Sequence, residues 1–159
     1  MGEVELQPEN NMLIIHAAII IYGDAANDGL SFQIARDIEY LWNGAEGKVQ
    51  IAEGWFSKKT YLVKFKIEGK FDKLLTAEII FANNNPRNNY FRIEEFAAGN
   101  ISFVDGLNSN TGYFKLDNLL NNSTTAAHEF AHTLGLDHPQ HLDIRGLGTP
   151  GIMYPRGTW

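Results

Sequence analysis

Three of the five histidines in this chain lie in one stretch, HEFAHTLGLDH, residues 128–138. On a helix, His128 and His132 sit about 40° apart around the axis and about 6 Å apart along it. Both imidazoles then reach one metal ion from one face. Were the helix to continue, His138 would lie about 9 Å beyond His132 and about 240° around, facing away. The spacing therefore predicts that the helix stops and the chain turns back. Gly135 is the residue placed to do this, because it adopts positive φ without a Cβ penalty. Three neutral imidazoles leave a fourth position open, which suits catalytic rather than structural zinc. Glu129 lies about 100° around the helix from His128, placed to serve a water molecule as general base rather than to bind the metal. A His-x-x-x-His pair alone is often a surface accident. The whole pattern, with Glu, Gly and the third His in register, arises by chance in this composition with a probability on the order of 10⁻⁵ to 10⁻⁴. The metal reading is therefore preferred.

HEFAHTLGLDH resembles the long zinc motif of the metzincin metallopeptidases. GIMYP at 151–155 resembles their Met-turn, with Met153 as an apolar floor beneath the three histidines. The likeness is nearest to the matrixins (matrix metalloproteinase-like), through His128-Glu129-Phe130, Leu134–His138 and Met153-Tyr154-Pro155. These motifs cover about a fifth of the chain. The resemblance implies an α+β, α/β-like fold: a twisted, mostly parallel sheet with one antiparallel edge strand, a backing helix and a zinc-binding helix. It implies a zinc endopeptidase with one catalytic Zn²⁺ on His128, His132 and His138, and with Glu129 as base. NISFVDG at 100–106, which carries Phe103, takes the place of the antiparallel edge strand, where an extended peptide adds as a further strand. Tyr154 and Pro155 would wall the pocket just after the scissile bond and favour an apolar side chain there.

The chain also departs from the family. Astacins and serralysins carry a tyrosine as fifth ligand two residues after the methionine; here that residue is Pro155. Pro139, after the third histidine, is more like serralysins than matrixins. No histidine lies between His16 and His128, so the second, structural zinc of matrixins is expected to be missing. The cysteine of their latency mechanism has no counterpart in a cysteine-free chain. Only RGTW follows Pro155, so a minimal lower subdomain is expected over 136–159, beneath an upper subdomain of 12–135.

Other elements must position these residues. MLIIHAAIIIY (12–22) is apolar on both alternating faces and reads as a strand buried on both sides. GDAANDG (23–29) is a turn with Asn27 or Asp28 as helix cap. Leu30, Ile34, Ile38 and Leu41 form one helical stripe that Asn43-Gly44 ends. KTYLVKFKIEG (59–69) alternates, with Tyr61, Val63, Phe65 and Ile67 on one face. LLTAEIIFA (74–82) continues a β-rich middle, and NNNPRNN (83–89) is a loop. YFRIEEF (90–96), ISFV (101–104) and GYFKLD (112–117) read as short strands. Helical spacing runs over 118–135, with Ser123 or Thr124 as cap. Residues 1–11 read as a loose lead-in, and the tail is punctuated by Gly146, Gly148, Pro150, Gly151, Pro155 and Gly157.

The remaining readings set limits. The chain has 159 residues, 44% hydrophobic and 20% charged, as in one soluble globular domain. A net charge of −6 argues against nucleic acid or an anionic membrane as partner. No apolar run is long enough to span a bilayer, and no signal peptide is visible. Absence of cysteine excludes disulfides, thiolate ligands and a cysteine nucleophile. The partners expected are a peptide or protein substrate and a proteinaceous inhibitor, with the chain a monomer in a secreted, bacterial setting. His16 reads as a hydrogen-bonded core residue and His141 as an exposed loop residue. Asp137 and Asp143 are alternative third ligands that the His138 register makes unnecessary. Ca²⁺ at Asp105 or Asp117 has no loop motif behind it. Two other functions compete: a non-enzymatic zinc-binding interaction domain, which would have no use for Glu129, and the toxic tip of a larger secreted bacterial protein.

Overall fold

Strand β2 (Met12–Tyr22) is the middle of a seven-stranded mixed sheet in a computed structural model that describes residues 1–96, 100–143, 148 and 150–155. Its bounds match the apolar run in the sequence, and Ile19 and Ile21 are fully buried. On one edge β2 pairs in parallel with β4 (Lys58–Phe71), which pairs antiparallel with β3 (Lys48–Ala52). Two strands share its other edge. β1 (Glu3–Gln7) runs antiparallel along residues 12–16, and β5 (Asn88–Glu94) runs parallel along residues 18–22. β7 (Thr111–Lys115) follows β5 in parallel, and β6 (Phe103–Val104) closes that end antiparallel. The order is β3-β4-β2-β5-β7-β6, with β1 on the flank of β2.

Helix α1 (Asp28–Gly44) backs the sheet through Leu30, Ile34 and Ile38. Asn27 is its cap, accepting from the Leu30 amide at 2.9 Å. The helix lies very close to β4: a Cβ added at Gly69 would stand 2.2 Å from the Ser31 carbonyl oxygen. Helix α3 (Thr125–Thr133) carries His128, Glu129 and His132 and packs beside α1. Ala127, Phe130 and Ala131 are fully buried on its inner side. The Trp42 indole N–H donates to the Ala127 carbonyl at 3.0 Å, and Phe65 meets Trp42 on one side and the edge of Phe130 on the other. Burying a side chain such as Phe130 contributes about 1.5–3 kcal/mol.

The fold is α+β, with a mixed sheet, a backing helix and α3 beside it. Several local expectations fail. Residues 3–7 are a strand rather than a lead-in, although Val4 and Leu6 stay 60% and 42% exposed; pairing rather than burial holds them. Glu3 meets Arg87 at 2.6 Å and Glu5 meets His16 at 2.7 Å. His16 is thus hydrogen-bonded, but to a strand partner rather than within the core. The apolar run at 74–82 gives a short helix, α2 (Ala77–Phe81), capped by Thr76, in place of a strand. Residues 118–124 are not α-helical: a 3₁₀ turn (Leu116–Leu119) is followed by Asn121 and Asn122 at φ 60° and 56°, left-handed values that no α-helix contains. The ladder of β6 covers only residues 103–104 of the expected 101–104. Three antiparallel pairings occur instead of one, because β1 and β3 add to β6. Gly146, Gly157 and the RGTW tail lie outside the described residues.

Candidate active site

α3 ends where the sequence predicts. Gly135 has φ +90°, its amide donates to the His132 carbonyl, and the Leu136 amide donates to the Ala131 carbonyl, both at 3.0 Å. This pair of bonds is a Schellman closure, which satisfies two carbonyls at the helix end and reverses the chain. Asn108, itself at φ 67°, supports the reversal from the loop between β6 and β7. Its amide donates to the His132 carbonyl at 2.9 Å, and its side chain covers Gly135 so closely that a Cβ there would lie 2.4 Å from Oδ1. No residue pattern in the sequence pointed to Asn108.

The reversal brings His138 back to the helix. The Nε2 atoms of the three histidines are 3.0 Å (128–138), 3.1 Å (132–138) and 3.2 Å (128–132) apart. Donors at 2.0–2.1 Å from one tetrahedral zinc lie about 3.3–3.4 Å apart, so the triangle fits such an ion with little movement. His128 Nδ1 is 2.7 Å from the Ile152 carbonyl, and His132 Nδ1 is 2.7 Å from the Leu136 carbonyl. A carbonyl only accepts, so in both rings Nδ1 carries the hydrogen and a neutral ring presents its Nε2 lone pair. Burial holds the His128 ring below the ordinary histidine pKa; the other two imidazoles add to this and the Ile152 bond opposes it. That balance favours the neutral, ligating form. Among the described residues, these three histidines are the one His, Cys, Asp or Glu group arranged to hold a metal ion.

Glu129 is 8% exposed and lines a cleft of about 300 Å³ together with all three histidines. Phe103, 48% exposed on β6, and Tyr154 and Pro155 line the same cleft, as do Ile101, Ser102, Asn118 and Thr125, which sequence reasoning did not single out. The Asp105 amide donates to the Thr111 carbonyl, and Phe103 faces Tyr113. Bonded pairs alternate along an antiparallel ladder, so the Val104 amide and carbonyl point away from β7, out of the sheet edge. Met153 lies within a turn closed by the Tyr154 amide on the Gly151 carbonyl at 3.1 Å. The same turn supplies the Ile152 carbonyl that orients His128. Asp137 bonds the His138 amide rather than joining the triad, and His141 and Asp143 are exposed. Asp105 accepts from the Thr111 hydroxyl, and Asp117 pairs with Lys115. No described helix is long and apolar enough to cross a membrane.

No family model matches the chain, and no curated protein matches it. Among solved structures the chain is similar to that of myroilysin, at 13% identity and a TM-score of 0.37, over 77% of this chain and 49% of the other. The chain thus spans about half the length of that protein's chain.

Proposed function

We propose that this chain is a zinc-dependent endopeptidase, with His128, His132 and His138 as metal ligands and Glu129 as general base. The observation that carries this reading is the convergence of three Nε2 atoms within 3.2 Å of one another, in a cleft that Glu129 also lines. Zinc held there would act as a Lewis acid toward a peptide carbonyl and lower the pKa of water to about 7. The Glu129 carboxylate takes the proton of the attacking water and hands it to the leaving amine. The outward amide and carbonyl of Val104 accept an extended peptide by strand addition. Phe103, Tyr154 and Pro155 give the cleft apolar walls, with Tyr154 and Pro155 facing the residue after the scissile bond. Met153 closes the site from below as a thioether floor against the imidazoles.

One paired assay of zinc content and peptide-library cleavage tests this. Glu129→Ala keeps all three imidazoles, so zinc stays near one per chain while cleavage falls by about 10²–10⁴-fold. His132→Ala loses metal and cleavage together. A Glu129→Ala protein that cleaves like the parent contradicts the mechanism. A zinc-loaded parent that cleaves nothing across the library points to a non-enzymatic metal-binding domain.

A further inference from the structure

β6 joins β7 through only two residue pairs, Phe103 with Tyr113 and Val104 with Gly112. That is short for a strand that must present its edge to a bound chain. Just upstream, the backbone is held by side chains. The Ser102 hydroxyl, in a residue 6% exposed, accepts from the Lys115 amide at 3.1 Å and from Asn118 Nδ2 at 3.2 Å. Asn118, 7% exposed, also donates to the Asn100 carbonyl at 3.1 Å, and Lys115 Nζ reaches Asn100 Oδ1 at 2.7 Å. These bonds tie residues 100–102 to residues 115–118, where the ladder has already ended.

The position of these bonds matters more than their number. Residues 101–104 and Asn118 all line the candidate active cleft. Side chains alternate along an extended segment, so with Ser102 turned inward, Ile101 and Phe103 face outward, 70% and 48% exposed. A buried hydroxyl and carboxamide are costly unless bonded, and an apolar pair would fill the same space. What the polar pair adds is register: it fixes which backbone atoms point out of the edge.

We propose that Ser102 and Asn118 form a clasp that keeps this rim of the cleft preformed as a docking strand, and that both are positioning residues for an extended peptide substrate. The proposal rests on the peptidase reading above. A rim ordered in advance loses no chain entropy when substrate arrives. Loosening it weakens ground state and transition state alike, so the loss falls on KM and spares kcat.

Steady-state kinetics on a cleaved library peptide, read beside zinc content, give the test. Ser102→Ala removes the acceptor of both bonds and raises KM about tenfold, with kcat within about twofold. Zinc content does not change. Asn118→Leu behaves in the same way, and the double variant is little worse than either single one. Ser102→Thr keeps the hydroxyl and restores KM. In the same zinc-loaded proteins, amide hydrogen exchange over residues 101–105 is faster in Ser102→Ala than in the parent or in Ser102→Thr, while α3 is unchanged. The clasp alone is overturned by a cleaving parent whose KM is indifferent to Ser102→Ala, by a fall confined to kcat, or by exchange that does not change. A parent that cleaves no peptide overturns the peptidase reading and the substrate role of the clasp with it.

Discussion

The Nδ1 atom of His128 lies 2.7 Å from the carbonyl oxygen of Ile152, 24 residues further along the chain. Ile152 occupies the first central position of the turn Gly151–Tyr154, and Met153 the second. The turn thus fixes the tautomer of His128 through its backbone. Met153→Leu should therefore retain zinc, because it keeps both backbone and volume. Met153→Pro should not: proline is disfavoured at the second central position and drives the preceding residue to an extended conformation, turning the Ile152 carbonyl away. Loss of such an orienting partner typically costs 10–100-fold in metal affinity, about the range expected here. Competition with a chelator of known affinity measures it. Equal affinity in the two variants would show that the carbonyl does not orient the ring.

Gly135 faces two separate penalties on gaining a side chain. Its φ of +90° disfavours any L-residue with a Cβ, and that Cβ would meet Asn108 Oδ1 at 2.4 Å. Gly135→Ala should lower stability by at least about 1–2 kcal/mol from the backbone alone. Gly135→Val should be worse and should also weaken zinc binding, without any ligand having been touched. Adding Asn108→Gly should recover only the steric part of the Gly135→Ala loss. Urea melts of the two single variants and the double variant separate these parts; full recovery would mean that the backbone penalty is negligible.

Much of this site could be read from residue types. The helix, its end at Gly135, the return of His138 and the span of β2 all followed from spacing and apolar runs. What could not be read is carried by groups that every residue has. The Ile152 and Leu136 carbonyls that orient His128 and His132 leave no trace in side-chain identity, and the Asn108 amide is no more visible. β1 was missed because its apolar residues remain exposed and its anchorage is a ladder plus ion pairs. The helix α2 was missed for a related reason. Its isoleucines suggest a strand, but Ile79 is 51% and Phe81 93% exposed, so no buried face decides the matter and the Thr76 cap prevails.

β1 should be the part of the sheet most sensitive to acid. Hydrogen bonding and charge from Arg87 hold the Glu3 pKa below its ordinary value of 4.5, and bonds from Gln7 and then His16 do the same for Glu5. For carboxylates depressed in the folded state, the unfolded chain binds more protons, so stability rises with pH. The contribution is complete above 4.5 and is lost as pH falls through the lower folded values. Pulsed hydrogen exchange at about pH 6 and about pH 3.5 should show β1 amides losing protection ahead of β4. Arg87→Ala should reduce that difference. Uniform loss across both strands would contradict the assignment.

Phe130 tests the packing that seats α3. It is fully buried and meets Phe65 edge-on at 6.3 Å. Phe130→Ala should cost about 3–5 kcal/mol, read by urea denaturation in chelator so that metal binding does not mask the loss. A cost below about 1 kcal/mol would mean that the surroundings collapse into the space.

The bond from Trp42 to the Ala127 carbonyl has an optical consequence. It places an indole at the seam between the backing helix and the helix that bears His128, in contact with Phe65 and partly withdrawn from water. Trp55 stands 93% exposed on the hairpin between β3 and β4. Separation of the two helices would wet Trp42 and move its emission to the red, while Trp55 already emits from water. The fluorescence lost in Trp42→Phe therefore reports, without any added dye, whether the helix that bears His128 is seated.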